Sequence, residues 1–239
     1  MQWFAHNPFD DNVLRWLNAL WVQKPDLGFF LAWLSNASLV KMGPFGAAVC
    51  YLRFRNGPER GRRRALVAEA VLVALCALAL GRLLSLGLPY RPRPYARPEL
   101  LLEIPSWFEP GLRTWSSFPS DHAVTTFAFA FALWRLSRPI GALLLLHATV
   151  IVSLPRTFLA LHHPTDQIAG ALFGALLVLV MSRLAWVQRV VQAVLALERK
   201  RPGGFYTLAF LLLFELVEMF NSLRTAAGYL FNALRQMLG

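Results

Sequence analysis

Apolar residues run along this chain in blocks that approach the length of a membrane span, each ended by a short burst of arginine, proline or glycine. A spanning helix needs about 20 mostly apolar residues, fewer where neighbours shield its ends. Five blocks come close: Leu27 to Phe54, Ala65 to Leu88, Asp121 to Leu136, Ile140 to Leu154 and Asp166 to Trp186. The third and fourth are short and joined by a tight Ser137-Arg138-Pro139 turn. The pattern predicts an all-α, polytopic transmembrane bundle of five or six spanning helices plus interfacial amphipathic helices.

Two further stretches carry mixed patterns. Phe9 to Val22 sets Trp16, Leu17, Leu20 and Trp21 on one face, away from Asp10, Asp11 and Arg15, which reads as an interfacial helix. After the Arg201-Pro-Gly-Gly break, Phe205 to Phe220 is apolar but holds Glu215 and Glu218, and Asn221 to Leu238 is amphipathic. A sixth span and a cytoplasmic surface hairpin both fit there. The chain divides into an N-terminal interfacial segment (1–26), a membrane core (27–186) and a C-terminal helical extension (187–239).

Composition agrees with a membrane protein: 56% of the 239 residues are apolar, 15% are charged, and the mean hydropathy is +0.47. The net charge of +11 does not point to nucleic acid, because the arginines fall between apolar blocks rather than on one surface. Their placement sets the orientation instead, since positive loops stay cytoplasmic. Arg53 to Arg64 holds six arginines, Arg135 to Arg138 two, and Arg183 to Arg201 five basic groups. The opposite, outer side then receives Pro89 to Pro119 and the connection before Asp166. The opening MQWFAHNPFDDN has neither a basic n-region nor an apolar h-region, so an internal helix is expected to direct insertion. Cys50 and Cys76 lie within apolar blocks and read as small hydrophobes.

Three polar clusters fall on the outer side, each at the mouth of an apolar block: Tyr90 to Pro98, Phe118 to His122, and Arg156 to Asp166. Ionisable groups at a membrane edge are costly, and their joint placement marks a site. Arg91, Arg93 and Arg156 offer planar donor forks suited to phosphate oxygens. Ser120 can N-cap the helix from Asp121, whose N-terminus is itself an anion site. Pro164 places His162 just before a helix and Asp166 in its first turn. A carboxylate there can orient the imidazole so that the free ring nitrogen attacks, leaving His122 as general acid and base. Metal is not expected, because no third ligand has suitable spacing. Arg82, Arg97 and Arg113 read as snorkelling anchors, and His147 and His163 as structural.

These residues resemble the type 2 phosphatidic acid phosphatase superfamily, whose signature is Lys, six residues, Arg-Pro; then Pro-Ser-Gly-His; then Ser-Arg, five residues, His, three residues, Asp. Here Arg156, His162 and Asp166 keep the third spacing, with Pro155 in place of serine. Pro119-Ser120-Asp121-His122 matches the second with Asp for Gly, and Arg93-Pro94 matches the first. The lysine is missing: the position seven before Arg93 is Leu86, and counting from Arg91 gives Leu84. Arg91 is the expected substitute, with Arg82 reaching up from its helix as the other choice.

The Phe118-Pro-Ser-Asp-His122 variant is similar to bacitracin-resistance type undecaprenyl-diphosphatases. The resemblance implies an integral membrane enzyme, without cofactor or metal, that hydrolyses a polyprenyl diphosphate at the outer face of a bacterial inner membrane and so recycles a carrier of envelope polysaccharides. It implies His162 as nucleophile, Asp166 as its orienting partner, His122 as acid and base, and Arg93, Arg156 and Ser120 as holders of the phosphoryl oxygens. Phosphatidylglycerol phosphate, phosphatidate or lipid A phosphate are the alternative substrates, and a non-catalytic lipid-phosphate binder or transporter is the alternative class.

Overall fold

Two short helices, α1 (Pro8–Gln23) and α2 (Pro25–Asn36), open the computed structural model, which describes residues 7–57, 59–108 and 116–238. Strong start signals set α1: the Asn7 side chain accepts from the Phe9 N–H at 3.1 Å, Pro8 takes the first turn, and Asp10 and Asp11 follow at the positive end of the helix dipole. Its buried face is Leu14, Leu17 and Trp21 with Asp10 beside them. Trp16, expected on that face, is exposed.

α3 (Ser38–Phe54) follows after a break at Ala37, so the block from Leu27 to Phe54 is two helices and not one span. Ser35, Asn36 and Ser38 flank the break, and such side chains compete with the helix for backbone hydrogen bonds. Tertiary contacts complete the division: α2 packs on α1 and the segment before His162, whereas α3 packs against α4 (Arg60–Gly87).

α5 (Asp121–Trp134) is followed by a run from Arg138 to Phe158 built of α6 (Arg138–His147), a π turn (Ala148–Ser153) and α7 (Leu154–Phe158). Pro155 accounts for the wider turn, since it has no N–H and its ring displaces the carbonyl four residues earlier. α8 (Pro164–Met181), α9 (Ala185–Lys200), α10 (Pro202–Val217) and α11 (Asn221–Leu238) complete the chain. No strand occurs among the described residues. Three runs there are long and apolar enough to cross a membrane, Arg60–Gly87, Arg138–Phe158 and Pro164–Met181, with shorter α3, α5 and α10 packed among them. The protein is an all-α membrane bundle.

α5 is the centre, held between α4 and α8. Gly170 and Gly174 form a small-xxx-small stripe on α8 that lets the two backbones meet. A Cβ on Gly170 would stand 2.6 Å from the Ala123 Cβ, and one on Gly174 2.7 Å from the Val124 carbonyl oxygen. On α4, Gly81 allows the same approach to Asp121, whose Cα would lie 3.0 Å from an added Cβ. These contacts fix the start of α5 against the start of α8.

The bundle has two chemically distinct ends. At one, Arg53 pairs with Glu198, Arg135 with Glu69, and the Tyr206 hydroxyl donates to Glu198 at 2.7 Å. These join the arginine-rich connections that sequence places on a single side. α10 starts at this end, near Tyr206, and its far end at Val217 lines a cavity with His162. It therefore crosses the bundle as a sixth segment rather than folding back as a surface hairpin.

Candidate active site

At the opposite end, the break before α3, the Arg-Pro loop, the start of α5 and the connection before α8 enclose a cavity of about 360 Å³. His122, His162, Arg93 and Arg156 all line it, although 69 residues separate Arg93 from His162. Four residues of the sequence-derived cluster thus share one cavity wall.

His162 is 2% exposed. Its Nδ1 donates to the carbonyl oxygen of Ser117 at 2.8 Å, which fixes the tautomer and leaves a lone pair on Nε2. The Arg93 guanidinium lies 3.2 Å from that Nε2 and also donates to the Leu161 carbonyl oxygen at 2.8 Å. Burial, and next the charges of Arg93 and Arg156, hold the His162 imidazole well below its usual range, so it stays neutral. The site thus presents an unprotonated nitrogen beside a guanidinium fork.

Asp166 does not make the expected hydrogen bond. Its nearest oxygen is 3.7 Å from His162 Nδ1, whose proton is already taken by Ser117. The carboxylate instead accepts from Arg91 at 2.5 Å and from the His163 N–H at 2.8 Å, closing the first turn of α8. Its influence on His162 runs through the shape of that turn.

Arg91 is likewise absent from the cavity wall. It bridges Asp166 to Asp10 of α1, 2.7 Å away, and donates to the Thr165 hydroxyl at 2.9 Å. Asp10 also accepts from the Thr165 N–H at 3.0 Å. Buried charges need full pairing, and this knot absorbs the cation expected to replace the signature lysine. Ser120 caps α5, accepting from the Ala123 N–H at 3.4 Å, and is buried outside the wall as well.

His122 has a partner that the sequence reading missed. Its Nδ1 donates to Asp121 at 2.8 Å, and the Asp121 backbone approaches Gly81. Asp121 stands where the family pattern has glycine. A carboxylate beside a histidine was the available signal, although a first-turn Asp also reads as a dipole partner. Ser117 had no signal, because every residue carries a carbonyl. Asp10 read as part of the polar face of an interfacial helix.

The remaining groups are structural in their contacts. His163 is fully buried with Nε2 3.2 Å from the Pro92 carbonyl oxygen, and burial lowers its pKa. His147 Nε2 lies 3.0 Å from the Lys41 carbonyl oxygen. Arg97, expected to snorkel, is buried and pairs with Asp11 at 3.3 Å. Arg82 lines the cavity but donates to the Met219 carbonyl oxygen at 2.5 Å. Arg113 lies outside the described residues. No group of three or more His, Cys, Asp or Glu side chains suited to a metal occurs among the described residues.

Comparison with known proteins gives a family and a partial relative. Over 58 residues the chain is 38% identical to the Escherichia coli (strain K12) protein named "Putative undecaprenyl-diphosphatase YbjG", a match covering 24% of this chain and 29% of that protein. The match thus spans under a third of that relative's length. No solved structure matches. The model of the PAP2 superfamily matches residues 66–189, which hold His122, His162, Arg93 and Arg156, and the chain belongs to that superfamily.

Proposed function

We propose that the protein is a lipid diphosphatase that removes the terminal phosphate of a polyprenyl diphosphate through a phosphohistidine on His162. The observation that carries this reading is the neutral His162 Nε2 set 3.2 Å from Arg93 in a cavity that Arg156 and His122 also line. In the first step Nε2 attacks the terminal phosphorus. The N–P bond forms, the bond to the bridging oxygen breaks, and the lipid monophosphate departs with the electron pair. A protonated His122 can hand that oxygen a proton, but a phosphate is already a good leaving group. In the second step His122, oriented by Asp121, takes a proton from water while the water oxygen attacks phosphorus. The N–P bond breaks, His162 is regenerated and inorganic phosphate leaves.

Arg93 and Arg156 hold the phosphoryl oxygens and stabilise the charge that develops on them, the main device in phosphoryl transfer. This cationic wall supports a reaction that needs no metal. Residues 27–186 act as the catalytic core, 1–26 as an N-terminal interfacial segment, and 187–239 as an extension whose turn after α10 reaches the cavity. The arginine-rich end opposite the site supports an outward-facing active site in a bacterial inner membrane, and the partial likeness to YbjG supports undecaprenyl diphosphate as substrate.

The test is phosphate release by purified protein in detergent with EDTA, using undecaprenyl diphosphate, phosphatidylglycerol phosphate, phosphatidate and lipid A phosphate in competition. Preference for the diphosphate supports the carrier-recycling role. Preference for any of the others moves the enzyme to phospholipid or lipid A metabolism. Binding without release from any of them identifies a lipid-phosphate binder and overturns the enzymatic reading.

A further inference from the structure

The signature lysine is absent from its usual place, and both arginines nearest that place are engaged elsewhere: Arg91 with Asp10 and Asp166, Arg82 with the Met219 carbonyl. A different cation faces the cavity. Lys41, one turn into α3, lines the wall together with Arg93, Arg156 and His122 and is 7% exposed. Among the described residues its ammonium has no hydrogen-bond or ion-pair partner, although Asp121 and Glu218 line the same cavity. An ammonium without a protein partner, facing a cavity that Arg93 and Arg156 also line, is repelled by its neighbours unless an anion joins them.

The helix break explains how Lys41 arrives there. A single helix from Leu27 to Phe54 would carry it past the site; the break at Ala37 instead turns Ser35, Asn36, Ser38 and Lys41 toward the cavity. The Arg156 Nη1 donates to the hydroxyl of Ser35 in the same break at 3.5 Å. The His147 ring holds the Lys41 backbone through its carbonyl, and Phe45, one helical turn on, stacks on Phe129 of α5 at 5.6 Å. The ammonium is thus positioned by two helices of the core.

We propose that the α2–α3 break is a phosphate-binding element in which Lys41 supplies, from α3, the ammonium that the family signature places before the Arg-Pro pair. Resting on the phosphatase reading above, this completes a three-cation clamp of Lys41, Arg93 and Arg156. A terminal phosphate carries about two negative charges near neutral pH. A bridging phosphoryl group adds another, so three cations match a diphosphate headgroup better than a monophosphate.

Inorganic pyrophosphate serves as a headgroup probe. The chain has three lysines, and Lys24 and Lys200 are exposed, so they act as internal controls for an amine-reactive reagent read by mass spectrometry. In wild-type protein, pyrophosphate is expected to protect Lys41 selectively. Lys41→Met is expected to weaken pyrophosphate binding by between roughly tenfold and roughly a hundredfold, the worth of one hydrogen bond to a charged group, with partial recovery in Lys41→Arg.

Equal labelling of Lys41 with and without pyrophosphate overturns the proposal, as does Lys41→Met binding and turning over like wild type. Because protection is read on wild-type protein, a Lys41→Met chain that fails to fold leaves the test intact. Protection of Lys41 in a protein that hydrolyses no lipid phosphate upholds the clamp and overturns the enzymatic reading alone.

Discussion

The imidazole Nδ1 of His162 donates to the backbone carbonyl of Ser117 across 2.8 Å, and this one hydrogen bond decides which ring nitrogen faces the cavity. A carbonyl accepts but cannot donate, so Nδ1 keeps the proton and Nε2 keeps the lone pair. The nitrogen proposed as the nucleophile is thus set by backbone, while the carboxylate predicted for that task holds the turn beneath it.

Asp166 and Arg91 should therefore behave as one structural unit. Arg91→Met leaves two buried carboxylates without their cation, a loss of about 3–5 kcal/mol, whereas Asp166→Asn leaves Arg91 paired with Asp10 alone and should lose less. The double variant should lose much less than the sum, with a coupling of about 0.5–3 kcal/mol by thermal unfolding in detergent. Additive losses would show that the two side chains act separately.

The proposed role of His122 as base makes Asp121, 2.8 Å from its Nδ1, a positioning residue. Asp121→Asn should lower kcat on the order of 10²-fold with KM within about twofold, because dephosphorylation depends on the oriented base. The phosphoenzyme should live longer in that variant, and Asp121→Glu should restore part of the rate. A rise in KM at unchanged kcat would assign Asp121 to substrate binding.

The glycine stripe of α8 is tested by Gly174→Ala. Its new Cβ would stand 2.7 Å from a backbone oxygen and 2.8 Å from the Ala128 nitrogen, atoms that cannot move aside cheaply. A loss of about 1–3 kcal/mol is expected, with activity falling in parallel as α5 is pushed from α8. Gly203→Ala, where nothing lies within 4 Å of the added Cβ, should not reproduce it.

Protonation gives a further prediction. Burial depresses the pKa of both His162 and His163, so the folded protein binds fewer protons than the unfolded chain, whose histidines titrate near about 6.5. Stability should therefore fall as pH drops below about 6.5 and be fully present above it. The midpoint of thermal unfolding should decline from pH 7.5 to pH 5.5, less steeply in His163→Gln. A flat profile would contradict neutral burial of these rings.

Much of this was legible in the chain and some was not. The apolar blocks from Ala65 to Leu88 and from Asp166 onward gave α4 and α8 almost as drawn, because length and uniform hydropathy leave one solution in a bilayer. The block from Leu27 to Phe54 misled, since its polar break is short and only contacts with α1 and α7 on one side, and α4 on the other, divide it. His122, His162, Arg93 and Arg156, grouped in the sequence by motif spacing, line one cavity, and the two histidines stand at the adjacent starts of α5 and α8. Arg91 and Ser120, expected to hold phosphate, lie outside the cavity wall, since sequence shows a charge or a hydroxyl but not which partner claims it first. Lys41 sat within an apolar block, where a lone lysine has no pattern to announce it.

The central claim, a phosphohistidine on His162, is tested most directly by acid-free quench of the enzyme with undecaprenyl diphosphate labelled in its terminal phosphate, followed by peptide mapping. Label should appear on the peptide holding His162, accumulate in His122→Gln and be absent from His162→Ala. Turnover of the diphosphate with no label on that peptide in either the wild type or His122→Gln, or turnover that persists in His162→Ala, would contradict it.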